Sequence, residues 1–334
     1  MNKRVLGADV LLLLTAAVWG FGFVAQRSGM QYVGPFAYNG IRFILGSLSL
    51  LPLIAWRNRG RKGQFKRKTF LFSSFLVGTC LFVAVTFQQL GMMATTAGKA
   101  GFITGLYVVF TPIFGIFLGR KTGKATWAGA VLTFTGLYLL SAKDWFRGLN
   151  PGDILIAVSA VFWAFHVLII DRLVQKNDPI ALSSGQFAVA GFYAFAAAFL
   201  IEPFLSLQVG NLDPELLASG LFSWKSFPAL IDGLYTGTVP VSLVSSALVP
   251  ILYGGLASVG IGYTLQVVAQ RDAPPAHATI ILCLEGCFAA LGGVLLLHEP
   301  VGTRTIIGFA LMLSGMLASQ WELIAAKTNR GSRC

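Results

Sequence analysis

The chain is written twice, and each copy carries an odd number of membrane-length apolar runs. Shifted by 144 places, the sequence pairs Asp9 with Asp153, Trp19 with Trp163, Pro35 with Pro179 and Phe43 with Phe187. Shifted by 178, it pairs Gln88 with Gln266, Ala100 with Ala278, Leu106 with Leu284 and Phe110 with Phe288. At 179, Gly129 and Gly136 meet Gly308 and Gly315. Trp, Asp and Pro coincide rarely by chance, so the chain is a duplicated structural unit. The growth of the offset is an insertion in the second copy, between about 203 and 247.

The unit is hydrophobic. Of 334 residues, 55% are apolar and 11% charged, far from the roughly 25% charged content of a soluble domain. The charge-free runs 70–98, 100–119, 179–201 and 233–270 each suffice to cross a bilayer, which takes about 20 residues. These features predict an all-α integral membrane protein of about ten transmembrane helices. The spans fall near 6–26, 34–56, 70–92, 97–119, 125–142, 153–173, 179–201, 248–269, 276–297 and 303–325. The first repeat is 6–142, the second 153–325 with its extracytoplasmic insertion near 203–247, and a basic tail occupies 326–334.

The formal charge of +12 follows topology rather than a nucleic-acid face. With the amino terminus inside, eighteen Lys and Arg lie in cytoplasmic segments and six outside, leaving Arg42 within a span. Seven of the eighteen stand between Arg57 and Lys68. The positive-inside rule therefore places both termini in the cytoplasm. Five spans per copy is odd, so the second copy must run upside down relative to the first, giving two inverted five-helix repeats. The start of the chain looks like a secretory signal, but its repeat partner at 153–170 argues for a retained span. Cys80, Cys283, Cys287 and Cys334 form no disulfide framework, and Cys283 and Cys287 read as small packing residues rather than metal ligands. Ala97, Gly101 and Gly105, with Gly115 and Gly119, repeat at a spacing that lets helix backbones approach.

Several stretches resemble one family. Ala17-Val18-Trp19-Gly20-Phe21, Pro35, Arg42, Thr111-Pro112-Ile113-Phe114, Leu284-Glu285, Leu297-His298-Glu299-Pro300 and Gly308 are similar to EamA-type members of the drug/metabolite transporter superfamily. The resemblance covers nearly the whole chain outside the insertion and the tail. It implies two inverted five-helix halves around a central cavity, and a protein that moves amino acids, other small metabolites or drugs, often outward.

Ionisable groups inside a bilayer are costly and mark candidate sites. Glu285 lies about 13 Å from the cytoplasmic edge of its span and Arg42 about 12 Å from the opposite edge of its own, at 1.5 Å per residue. In a core of roughly 30 Å the two differ in depth by only about 5 Å, so they are expected to pair directly or through a substrate. The competing expectation for Arg42 is snorkelling toward the outer headgroups. If transport is proton-coupled, Glu285 is where proton and substrate compete. The repeat register matches Glu285 with Tyr107 and His277 with Lys99. Gln88 and Gln266 either meet a substrate or tie helices together, and Trp19 and Trp163 offer aromatic walls. His166, beside Trp163, is a candidate proton carrier. Lys99 and His277, at opposite membrane faces, suit gates. Asp9 and Asp153 read as acids at helix N-termini.

The expected function is secondary active transport of small organic metabolites such as amino acids, outward, by alternating access between the repeats. Its rivals are a multidrug antiporter exchanging lipophilic cations for protons and an integral-membrane lipid-modifying enzyme. The absence of clustered acids or a nucleophile with its base argues against an enzyme. No cofactor, metal or nucleic acid is expected. The partners are a small-molecule substrate, the lipid bilayer and a proton or other coupling ion. Localisation is the cell membrane, and the sequence leaves the oligomeric state open.

Overall fold

The computed structural model describes residues 3–30, 33–59, 67–94, 97–145, 150–201, 248–289, 291 and 302–331. The insertion near 203–247, His298-Glu299-Pro300 and most of the basic loop after Arg59 lie outside these residues. Among the described residues every regular element is a helix. In chain order they are α1 (Lys3–Gly29), α2 (Pro35–Asn58), α3 (Arg67–Ala94), α4 (Ala97–Thr104), α5 (Tyr107–Phe117), α6 (Lys124–Trp145), α7 (Pro151–Leu173) and α8 (Pro179–Leu200). There follow α9 (Leu248–Ala269), α10 (Pro275–Ala289) and α11 (Thr303–Gly331). Seven stretches are long and apolar enough to cross a bilayer: within α1, across α4 and α5 from Ala100, and in α2, α3, α7, α8 and α9. The chain is an all-α membrane protein.

Helix starts follow local chemistry. Proline at the first helical position opens α2, α7, α8 and α10, where its missing N–H is no loss. Asp178 caps α8, its Oδ1 accepting from Ile180 N at 3.0 Å and Ala181 N at 3.1 Å. Asp153 acts as the N-terminal acid expected of it. Its Oδ2 accepts from Asn150 N at 2.8 Å while Asn150 Oδ1 accepts from Asp153 N at 3.0 Å, a reciprocal capping box. Asp9 does not open a helix. It sits six residues into α1, buried, and pairs with His277.

The expected single span 97–119 is two pieces. At its break Leu106 N donates to Ile103 O at 3.1 Å and Val108 N to Gly105 O at 3.0 Å, bonds three residues back rather than four. In α10, Leu284 N donates to Ile281 O at 3.0 Å and Gly286 N to Cys283 O at 3.1 Å. These are the same four positions in the repeat register. Each tightened turn is followed at once by a residue of interest, Tyr107 or Glu285.

Helices holding the same place in the two copies pack on each other: α2 on α8, and α6 on α11. In the second pair a Cβ built on Gly129 would lie 2.6 Å from Gly315 O, and one on Gly136 would lie 2.7 Å from Met312 Cγ. Only glycine permits that crossing. The small-residue stripe of α4 and α5 is a different matter. Among the described residues, Gly101 and Gly119 meet nothing within 4 Å, and of the stripe Gly105 alone is crowded, by Leu137. Gly119, with φ 76°, instead ends α5 in a left-handed turn where Arg120 N donates to Gly115 O at 2.8 Å.

Residues Tyr253–Tyr263 of α9 form a π-helix, wider than an α-helix. Side chains of α1 hold its carbonyls: Thr15 Oγ1 donates to Gly262 O at 3.2 Å and Trp19 Nε1 to Ser258 O at 3.2 Å. In return Tyr253 Oη donates to Val18 O at 2.8 Å.

Candidate functional site: a central cavity and an adjoining vestibule

Where the copies meet, equivalent residues touch. Trp19 and Trp163 have ring centroids 6.4 Å apart, and Phe43 and Phe187 6.3 Å. Cys283 Sγ lies 3.6 Å from Gly105 O, and Tyr107 Oη donates to Glu285 Oε1 at 3.4 Å. Trp19, Trp163, Tyr107 and Glu285 line a cavity of about 30 Å³. Its wall comes from α1 (Trp19, Phe23, Gln26), α3 (Gln88), Thr104, Tyr107, α7 (Trp163, Val167), α9 (Ser258, Tyr263, Gln266) and α10 (Leu282, Glu285). Roughly 10–15 Å³ admits one water centre, so the space holds about two waters. A metabolite enters only if the rings move.

Among the described residues Glu285 is the single acidic or basic side chain on that wall. It is 5% exposed, and the tightened turn of α10 turns it toward Tyr107. Gln88 Nε2 donates to Thr104 Oγ1 at 3.1 Å, tying α3 to α4. Gln266 Oε1, Gln26 Oε1 and Trp163 Nε1 are buried on the wall without a protein partner among the described residues. Buried polar atoms are normally bonded, so these three are aimed at whatever fills the cavity.

Among the described residues Arg42 makes no direct bond to Glu285, and its side chain is buried rather than extended to the surface. It is 1% exposed, its guanidinium 4.9 Å from the centre of the Phe43 ring and 5.5 Å from that of Tyr38. Phe43 in turn lies 6.1 Å from Tyr263, so a layer of rings separates Arg42 from the cavity. Similar depth did not imply lateral contact. His166 also stands behind the wall, edge-on to Trp163 at 5.6 Å, with Nε2 donating to Gln186 Oε1 at 3.0 Å. Lys99 belongs to α4, but its side chain lies outside the described ones.

Tyr263 was not singled out in the sequence. It lies at the hub of the aromatic cluster, 4.5 Å from Trp19, 5.9 Å from Trp163 and 5.9 Å from Phe187. Its repeat counterpart is Val85, so the register gave no signal; the available one was its place three residues before Gln266 on one helix face.

A larger vestibule, about 550 Å³, opens at one end and shares no lining residue with the cavity. It is bounded by Thr111, Pro112, the turn Gly119–Gly123, Asp171 and the segment from Gln270 to His277. Arg120 is salt-bridged to Asp171 across it, and Arg172 Nη2 donates to Leu118 O at 2.7 Å. Arg57 pairs with Asp178 at 3.4 Å, Asn177 Nδ2 donates to Ser73 Oγ at 3.0 Å and Gln175 Nε2 to Arg271 O at 2.9 Å. The ends of α2, α5, α7 and α9 are therefore tied together on one cationic face.

Residues 6–142 and 233–319 match the EamA-like transporter family. The chain belongs to that family. An uncharacterized transporter of Archaeoglobus fulgidus is 30% identical over 74% of this chain and 82% of its own. A second from that organism is 24% identical over 95% and 97%, and the uncharacterized transporter YvbV of Bacillus subtilis is 23% identical over 72% and 82%. A solved crystal structure superposes with a TM-score of 0.70, covering 96% of this chain and 98% of its own at 17% identity, which shows a shared fold. As an EamA protein the chain is a multi-pass membrane transporter, a class that acts on small molecules.

Proposed function

We propose that the chain is a secondary active exporter of small organic metabolites such as amino acids, seated in the cell membrane with both termini in the cytoplasm. One observation carries this reading: repeat-equivalent residues, Tyr107 with Glu285 and Trp19 with Trp163, meet around the buried cavity. Points related by a two-fold axis touch only near that axis. The contacts support two inverted repeats with the substrate chamber between them. The cationic face is cytoplasmic by the positive-inside rule, so the vestibule opens inward while the chamber above it is closed. Alternation consists of one half rocking against the other, parting Trp19, Trp163 and Tyr263 to admit substrate.

A lipophilic-cation antiporter is a second reading, favoured by Glu285 being, among the described residues, the sole acidic or basic side chain on a wall of rings. Both are tested in proteoliposomes holding the purified protein, with amino acids or lipophilic cations as cargo and an imposed proton gradient. The expected result is gradient-driven flux that Glu285→Gln abolishes while membrane insertion is unchanged. Undiminished flux in Glu285→Gln would remove Glu285 from the mechanism, and the charge on accepted cargo separates the two readings.

A further inference from the structure

A second buried polar cluster joins three helices at the vestibule wall. His277, on α10, is 1% exposed and lines the vestibule. Its Nε2 lies 2.9 Å from Asp9 Oδ1 on α1, and its Nδ1 lies 2.8 Å from Ser319 Oγ on α11. Ser319 Oγ also donates to Met316 O at 2.9 Å. A hydroxyl has one proton. If that proton points to Met316 O, Ser319 Oγ accepts from Nδ1–H, and Nε2–H donates to Asp9. Both ring nitrogens then carry protons, and the contacts are those of an imidazolium facing a carboxylate. A neutral ring accepts a hydrogen bond from the Ser319 hydroxyl at Nδ1, which breaks the bond to Met316 O, or loses its bond to Asp9. The arrangement as a whole is complete only with the extra proton bound.

The repeat register sharpens this. Asp9 corresponds to Asp153 and His277 to Lys99. One copy thus has Lys where the other has His, the side chain that ordinarily changes charge around neutral pH. The other groups facing the vestibule are Arg120 and Asp171, paired with each other, and Lys121, Arg271 and Asp272. Among the described side chains, α1 adds Arg4 and α6 an exposed Lys124. Along α10, Glu285 lies eight residues beyond His277, about 12 Å at 1.5 Å per residue.

We propose that His277, clamped between Asp9 and Ser319, is the binding site for the coupling proton. The proton enters from the vestibule, and its binding holds α1, α10 and α11 in the vestibule-open conformation described here. Its release frees α10 from α1 and lets the vestibule close. This rests on the secondary-transport reading, but its test needs no cargo.

Spin labels at Thr122→Cys and Pro274→Cys, on opposite sides of the vestibule, are measured in liposomes between pH 5 and 8, with Cys334 replaced by Ser. For one linked proton the ratio of open to closed distances changes by up to tenfold per pH unit, with the open form favoured at low pH. His277→Lys is expected to stay open and His277→Gln to stay closed at every pH. Asp9→Asn loses the response, and His166→Gln, outside the cluster, keeps it. The proposal is overturned if wild-type distances ignore pH, if the response survives in His277→Gln, or if the Lys and Gln variants give the same distribution. Should either His277 variant fail to insert, wild type, Asp9→Asn and His166→Gln decide by themselves. Flux without a pH-dependent vestibule would sink this inference alone; a pH-dependent vestibule without flux of any tested cargo would sink the transport reading alone.

Discussion

Substituting alanine for glycine has opposite signs at two places in this molecule. At Gly129 the added carbon would lie 2.6 Å from Gly315 O, 3.1 Å from Ser319 Cβ and 3.3 Å from Ile280 Cδ1, where ordinary contact begins near 3.4 Å. The worst overlap is therefore about 0.8 Å against a backbone carbonyl that cannot swing aside. Overpacking of this kind costs about 1–3 kcal/mol, against a gain of about 1 kcal/mol from helix propensity. Gly129→Ala should thus be destabilised by up to about 2 kcal/mol, a factor of nearly thirty in the folded-to-unfolded ratio. At Gly101 nothing among the described residues lies within 4 Å, so the same change keeps only the propensity gain, up to about 1 kcal/mol. Gly136→Ala repeats the first case, and one outward displacement of α11 relieves both overlaps, so Gly129→Ala with Gly136→Ala should cost less than their sum. Equilibrium unfolding in detergent micelles, followed by circular dichroism, reads all four proteins. If Gly129→Ala is as stable as Gly101→Ala, or the double variant is strictly additive, α6 and α11 do not cross as described.

Two further outcomes are expected. Asn150→Ala removes the capping box of α7 and the bond from Asn150 Nδ2 to Ala94 O, and should cost about 1 kcal/mol in the same unfolding measurement; no change would show that the cap holds nothing. Arg42→Gln, which installs the residue type of its counterpart Gln186, should lose about 0.5–2 kcal/mol of cation–ring attraction yet retain gradient-driven flux, because the Phe43 and Tyr263 rings stand between Arg42 and the cavity. Loss of flux in a well-folded Arg42→Gln would return Arg42 to the substrate path.

The legible part of the site was the part that repetition marks. Glu285 was nominated as an ionisable group within a span, Tyr107 as its equivalent in the other copy and Trp19 and Trp163 as equivalents of each other, and the structure brings each pair together. Depth along a span was legible too, since rise per residue is constant. The side toward which a helix presents a residue was not. Arg42 and Glu285 lie at similar depths but face different neighbours, and Asp9, read as an N-terminal acid, found His277 from 268 positions away. Tyr263 had no repeat partner to flag it.

What the residue order settled by itself was membership in the all-α membrane class, the gathering of Lys and Arg in particular links between apolar runs and the recurrence of equivalent positions. Each is a property of hydropathy, charge or recurrence along the chain, summed over many residues and insensitive to any one contact. The tightened turns before Tyr107 and Glu285, the π-helical stretch of α9, the ring layer shielding Arg42 and the clamp on His277 were decided only in three dimensions. They depend on which side chains from distant helices arrive within bonding distance, and in lipid, where apolar faces all look alike to the solvent, close packing and hydrogen bonds make that choice.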